Sequence, residues 1–451
     1  MKKLIIAIDL GSTKVVCAVG EKTASGVKII AVEQAPSKGI ARGAVVNIQQ
    51  AMDIVSPIIS KVENNIQENI KEIFVGVSGQ HIRCTSNSEK IIRSNPDDLI
   101  TITEIENISN NMYNISHQID ERVIHVIPQS FNIDDFMGIT TPIGMMGKEV
   151  NANFKLVIGK GTSIDYTNNV IKRGGYKVRG QIFNHLAFSK AVVHEEECEI
   201  GVAIVDIGGG TTDLIIIQDN IVRHVAVIPF GGNSITEDIR MGCGVSLKQA
   251  EQLKIDHGSC FSEYAPEGRS IVIPSVTGNE NKELSYKLLA EIIEARTAEI
   301  LEAVDYEINL SGYKESLRAG LVITGGTAEL SNIGKLASLI TGLQTRGAVP
   351  ISDIEVDDDL MNIRKPHLSN AIGLVLKGYE ILEKEGGIYG TTTPMINSLF
   401  GEINNGEEKK ETKKEGEEEG GEEPKKKEKM GYFARIKKSL SSDNIFNDNN
   451  A

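Results

Sequence analysis

Two glycine turns, each directly behind an apolar run that ends in aspartate, restrict this chain more than any other feature. The first is Ile8-Asp9-Leu10-Gly11-Ser12-Thr13-Lys14, leading at once into Val15–Val19. The second, nearly two hundred residues on, is Val205-Asp206-Ile207-Gly208-Gly209-Gly210-Thr211-Thr212-Asp213, leading into Leu214–Ile217. Short runs of branched apolar residues read as strands, so both stretches read as hairpins. A further strand, Leu321–Thr324, ends in Gly325-Gly326-Thr327. Glycines in such turns permit positive φ and let peptide N–H groups approach phosphate oxygens. Ser12, Thr13, Thr211 and Thr212 add hydroxyl donors, and Lys14 supplies a cation toward a terminal phosphate. Asp9 and Asp206, at the strand ends, would face each other across a cleft and hold Mg2+ through water, because that ion keeps several waters. Singly, each turn reads as an ordinary hairpin, and Asp-x-Gly is a common turn opener. The ordered set of three carries the weight. Its spacing is neither GxGxxG nor GxxxxGK(S/T), which excludes the Rossmann and Walker readings.

Around these turns, strands such as Ile73–Val77 alternate with stretches of helical spacing. The latter are Ile48–Lys61, Ile164–Arg173, Ile235–Arg240, Leu247–Ile255 and Leu284–Asn309. That alternation predicts a layered α/β protein. The net charge of −14 argues against nucleic acid as the partner of the whole surface. No apolar run approaches the roughly 18 residues that span a bilayer. Lys2-Lys3 followed by Leu4–Ile8 imitates a signal peptide, but Asp9 ends the run too early. Cys17, Cys84, Cys198, Cys243 and Cys260 are scattered and form no CxxC pair, so they read as buried thiols in a reducing compartment.

The three turns resemble the phosphate 1, phosphate 2 and adenosine motifs of the actin-like ATPase superfamily. Gly76-Val77-Ser78-Gly79-Gln80-His81 and Pro229-Phe230-Gly231-Gly232-Asn233, with the tail described below, narrow the resemblance to the FtsA family of bacterial cell-division proteins. It covers the chain from Leu4 to about Gly378. It implies two ribonuclease-H-like lobes clamping Mg-ATP, a small inserted α+β subdomain and a disordered C-terminal tail ending in an amphipathic helix. The implied boundaries are 1–82, 154–198 and 366–390 for the first lobe and 83–153 for the insertion. The second lobe has its core at 199–231 and 299–365, with an outer subdomain at 232–298. Two connecting helices map near Leu186–Ala191 and Ala371–Leu374. Before the first, many superfamily members carry Glu-Pro, and this chain carries Asn184-His185. No catalytic residue is assigned, and at most weak ATPase activity is expected. In the outer subdomain Glu237, Glu251 and Lys254 either flank the adenosine or lie on a solvated helix face. The family implies that this region takes up the C-terminal peptide of the tubulin-like protein FtsZ. Lys254 and Arg296 are the basic residues there, and either could instead pair with neighbouring acids. Self-association into filaments and contacts of the insertion with other division proteins are implied in the same way.

Residues 391–429 are dominated by Glu, Lys, Gly and Asn with almost nothing to bury, which predicts a disordered linker. By the square-root rule such a linker spans about 35 Å. Apolar residues return at 430–442. On a helix, Tyr432, Phe433, Ile436 and Leu440 share one face, Lys438 lies opposite, and Arg435 and Lys437 flank it. That pattern suits an anionic membrane surface, with a protein groove as the alternative. The reading from sequence is an actin-like ATP-binding protein that tethers FtsZ filaments at the division site, on the cytoplasmic face of the inner membrane. The rivals are a small-molecule kinase or another actin-like scaffold of the same superfamily.

Overall fold

Two sheets in the chain are built to one plan. In the first, the strands lie in the order Lys177–Phe183, Glu72–Val77, Leu4–Leu10, Lys14–Lys22, Val27–Pro36, Glu355–Val356. In the second the order is Thr345–Gly347, Leu321–Thr324, Val202–Ile207, Thr212–Gln218, Ile221–Ile228. Each contains a three-strand antiparallel meander whose first strand also pairs in parallel with a later one. The computed structural model describes residues 4–24, 26–115, 118–274, 281–351 and 354–385. These belong to one unit, Met1–Ile403, while a second unit, Asn404–Ala451, lies outside the described residues.

Alternate side chains of a strand point to opposite faces, so an uninterrupted apolar strand must be covered on both. Leu4–Leu10 obeys this rule. Ile6, Ile8 and Leu10 pack with Val55, Ile59 and Val62 of helix Ile48–Ile66. Ile5 and Ala7 pack with Ala371, Leu374 and Val375 of helix Ser369–Glu385. In the second lobe Ala203, Val205 and Ile207 face Ile293, Ile300 and Val304 of helix Tyr286–Ser311. Val202 and Ile204 face Leu186, Phe188 and Ala191 of helix Asn184–Val192.

The two connecting helices, Asn184–Val192 and Ser369–Glu385, cross between the lobes. Gly373 lies directly on the backbone of Ala187, where an added Cβ would collide with the carbonyl group. Nearby, Glu380 takes Lys190 at 3.0 Å and Lys377 at 2.8 Å. Burial pushes the Glu380 carboxyl up, but the two ammonium groups outweigh it and hold it down at about 2. Gly373→Ala forces backbone apart in a packed crossing, which costs about 3 kcal/mol or more. Thermal unfolding should show a clearly lowered midpoint, and an unchanged midpoint would mean the helices do not cross here.

The insertion is a four-stranded antiparallel sheet, ordered Arg83–Ile92, Glu149–Lys160, Glu121–Ile133, Phe136–Ile139, with helix Ile102–Asn111 packed on it. Its last strand in sequence stays paired within this sheet up to Lys160, so position 153 falls inside the continuous strand Glu149–Lys160. Position 298 likewise falls inside the helix Tyr286–Ser311. That helix does not begin at Leu284, as helical spacing suggested. Leu284 pairs with Ile271 in a two-stranded ribbon, and the Ser285 hydroxyl then caps the helix by accepting from the Leu288 N–H at 3.0 Å. Ile124, Ile127 and Val157 of the insertion share one core with Phe188 and with Val222 and Val225 of the second lobe.

Candidate functional site

The two Asp-bearing hairpins meet tip to tip across the cleft between the lobes. The first turn, Gly11-Ser12-Thr13, joins strands in which Asp9 lies opposite Val16. The second is closed by the Gly208 N–H donating to Thr211 O at 3.0 Å. A Cβ on Gly209 would run into the Thr13 side chain, and one on Gly210 into Ser12. Glycine at both positions is therefore required by the approach of the lobes rather than by φ. Thr13 Oγ1 donates to Asn233 Oδ1 at 3.4 Å, another contact between the lobes. Thr212 Oγ1 donates to Phe230 O at 3.0 Å and ties the second hairpin to the turn before helix Gly232–Cys243. From that helix, Gly232 N and Asn233 N donate to Gly208 O and Gly209 O at 2.9 and 2.8 Å.

The third turn joins the same floor. Gly325 has φ +91, and a side chain there would collide with the Asp206 carboxylate. Thr327 Oγ1 donates to Gly208 O at 3.1 Å. Gly326 has only His367 within reach of a Cβ. Asp9, Gly11, Ser12, Thr13, Asp206, Gly208, Gly209, Gly210, Thr211, Thr212, Gly325, Gly326 and Thr327 thus lie on one cluster of three turns. Lys14 opens the second strand of the first hairpin. Burial lowers its ammonium pKa, while Glu329 across the cleft opposes that shift and Lys365 adds to it.

The electrostatics of the floor are set by three carboxylates. Asp206 and Asp213 are direct partners in the antiparallel register, so they share a face. Burial, followed by Asp213 and Asp9, pushes Asp206 well above the usual carboxylate range. Asp9 is pushed up to about 6 by burial, with Asn184 opposing the shift and Asp213 adding to it. Each of these two aspartates is held by an asparagine at the start of a connecting helix. Asn184 Nδ2 donates to Asp9 at 3.1 Å, and Asn370 Nδ2 donates to Asp206 at 2.9 Å. Asp213 Oδ1, Asn184 Oδ1 and Asn370 Oδ1 are buried without a partner. Among the described residues no three acidic, His or Cys side chains converge to ligate one ion. The carboxylates fit a divalent ion held through its waters. His185 is fully buried, stacked on Phe183 at 4.2 Å, with Nε2 donating to Ala226 O at 3.2 Å.

The outer-subdomain candidates separate. Lys254 is 8% exposed, and its ammonium group donates to Gly232 O at 3.0 Å and Thr236 Oγ1 at 2.8 Å and pairs with Glu251 at 2.7 Å. Lys254 and Glu251 therefore sit beside the Gly232–Thr327 edge of the cleft. Glu237 pairs with Arg240 on the exposed side of its helix. Arg296 joins Asp238 at 2.5 Å and Glu299 at 2.5 Å. Asp213, Asn184 and Asn370 carried no assignment from sequence. Only Asp213 had left a signal: counting outward from the Gly208–Thr211 turn puts it opposite Asp206.

Paired meander-plus-parallel sheets with facing Asp hairpins define the actin-like ATPase fold. A chain of a solved PilM–PilN type IV pilus biogenesis complex is similar in structure, with a TM-score of 0.58 and 13% identity, over 83% of this chain and 98% of that one. The family model for the cell division protein FtsA matches residues 203–373, and that for the SHS2 domain inserted in FtsA matches residues 79–158. The cell division protein FtsA of Pseudomonas aeruginosa is 34% identical over 379 residues, 84% of this chain and 90% of the relative. FtsA of Escherichia coli K12 is 32% identical over 416 residues, 90% of this chain and 97% of the relative. The chain belongs to the FtsA family of actin-like cell-division proteins.

Proposed function

We propose that this chain binds Mg-ATP between its lobes, self-associates, and tethers FtsZ filaments to the inner face of the cytoplasmic membrane at the division site. The carrying observation is the meeting of the two Asp hairpins across the cleft. Peptide N–H groups and hydroxyls of Gly11–Thr13 and Gly208–Thr212 would cradle the phosphates, with Lys14 opposite the terminal one. Magnesium would offset the phosphate charge. The fit lies in Asp9 and Asp206, two carboxylates whose ionisation burial disfavours, with Asp213 beside Asp206 on the same face. Glu251 and Lys254 are placed to meet the adenosine side. Asn184 and Asn370, amides that cannot take up a proton, hold Asp9 and Asp206 where a general base would be expected. ATP is accordingly a ligand that holds the lobes closed, with slow turnover at most.

The FtsZ contact is assigned to the outer subdomain, 232–298, and other division partners to the insertion. Arg296 is the more accessible base, its side chain 33% exposed against 10% for Lys254, although Asp238 and Glu299 pair with it. Arg296→Glu should weaken binding of the FtsZ C-terminal peptide about tenfold, the loss expected of one exposed charge contact. ATP binding should not change. Fluorescence titration of a labelled peptide reads this, and undiminished affinity would move the interface off this helix. The linker 391–429 and the helix 430–442 lie outside the described residues, so the membrane role rests on their sequence. No helix among the described residues is long and apolar enough to cross a membrane.

A further inference from the structure

The strand Glu72–Val77 is followed by Ser78, and the chain turns through Gly79, with φ +127, before Arg83 begins the inserted sheet. The short run Ser78–Ile82 is therefore the way into the insertion. It is held from both sides of the cleft. Ser78 Oγ donates to Asp213 Oδ2 at 2.6 Å, reaching from the first lobe to the second. Asp213 is 4% exposed and keeps its other oxygen buried without a partner. On the first-lobe side, Gly43 N donates to Ser12 Oγ at 2.9 Å, and a Cβ on Gly43 would lie 2.7 Å from Gly79 Cα. Gln80 N donates to Arg42 O at 3.3 Å. The insertion meets the second lobe again further on, where Gln129 Nε2 donates to Val222 O at 2.8 Å. Val222 lies on the strand that pairs with the one carrying Asp213.

We propose that Ser78 is a positioning residue that couples occupation of the cleft to the placement of the inserted subdomain, through its hydrogen bond to Asp213. The proposal rests on the Mg-nucleotide reading above. Asp213 shares a face with Asp206, so a cation drawn to the aspartate cluster attracts Asp213 as well. One carboxylate is then held by the ligand on one side and by Ser78 on the other. Fixing it fixes the run Ser78–Ile82, and with that the angle at which the insertion leaves the first lobe. Linkage makes the effect reciprocal: a partner that shifts the insertion changes nucleotide affinity by the same factor. Both lobes contribute a contact to this run, so a change in the distance between the lobes would be felt where the insertion departs.

Hydrogen exchange on the full chain, with and without Mg-ATP, tests the proposal beside calorimetric titration of the same samples. In the unaltered protein, nucleotide should slow exchange in Ser78–Ile82 and in the strand Arg83–Ile92. Ser78→Ala should still bind Mg-ATP, weakened less than about tenfold by loss of one hydrogen bond. It should keep nucleotide protection at the two hairpins and lose it in Arg83–Ile92. Ser78→Thr, which retains the hydroxyl, should restore it. A merely structural serine would raise exchange equally with and without nucleotide, and that result overturns the coupling. So does equal nucleotide protection of Arg83–Ile92 in Ser78→Ala, or none in a wild type that binds. Calorimetry showing no nucleotide binding by the wild type removes the underlying reading itself, and is distinguishable from all of these.

Discussion

Asp206→Ala should abolish Mg-dependent ATP binding while leaving the protein folded. The carboxylate lies on the floor of the cleft opposite Asp213, and Asn370 is its hydrogen-bonding partner. Losing a desolvated charge from a cation-phosphate cluster costs roughly 2–5 kcal/mol, which is about thirtyfold to several thousandfold in Kd. The fold should tolerate it for a reason visible in the protonation. Burial and the neighbouring aspartates raise the Asp206 pKa. An acid raised in the folded state opposes folding once pH exceeds its unfolded pKa, so at neutral pH its ionised form is a liability. Removing it relieves that repulsion, against which stands an unpaired Asn370 amide costing about 1–3 kcal/mol. Calorimetry with Mg-ATP and a parallel thermal melt read the two effects separately. Full affinity in a folded variant would remove phosphate binding from this hairpin. The same logic fixes a pH dependence. With Asp9 pushed up to about 6, protons compete with the cation below that pH, so Mg-ATP affinity should fall between pH 7.5 and 5.

What could be read from the amino-acid sequence divides by distance along the chain. The hairpins are local: strand, Asp-x-Gly and strand follow within about fifteen residues, and the observed strands Leu4–Leu10 and Lys14–Lys22 only lengthen the apolar runs. Lys254 also left a local signal. Ala250, Leu253 and Lys254 are all buried and fall at the i, i+3, i+4 spacing of one helix face, so the lysine points inward. Asn184 and Asn370 left none. Each is the first or second residue of a connecting helix, and each reaches an aspartate more than 160 residues away in sequence. The family resemblance placed the helices themselves, but nothing local to Gly373 announces that it meets Ala187. The junction of the insertion with the second lobe is equally non-local. Its core combines Ile127, Val157, Phe188 and Val222, drawn from elements that periodicity treats one at a time.

Phe433→Glu should release the protein from anionic membranes without touching the ATP site. If helical, Met430-Gly431-Tyr432-Phe433-Ala434-Arg435-Ile436-Lys437-Lys438-Ser439-Leu440 would place its large apolar residues on one face and its cations around the other. Full burial of Phe433, Ile436 and Leu440 contributes roughly 1.5–3 kcal/mol each, and less at an interface. Lys429, Arg435, Lys437 and Lys438 add about 1 kcal/mol each on an anionic leaflet. Ordering a dozen residues into a helix opposes this by roughly 1–2 kcal/mol per residue. On this reading one helix would bind weakly and reversibly, and self-association through the actin-like lobes would supply the avidity that retains the protein. A carboxylate in the middle of the apolar face removes one anchor and adds a charge that must be dehydrated, which a marginal balance does not survive. Sedimentation with liposomes reads the outcome. Anionic vesicles should retain the wild type, higher salt or neutral lipid should loosen it, and Phe433→Glu should stay in the supernatant with its Mg-ATP affinity unchanged. If the variant sediments as well as the wild type, the helix docks in a protein groove instead, and the tether must be sought elsewhere.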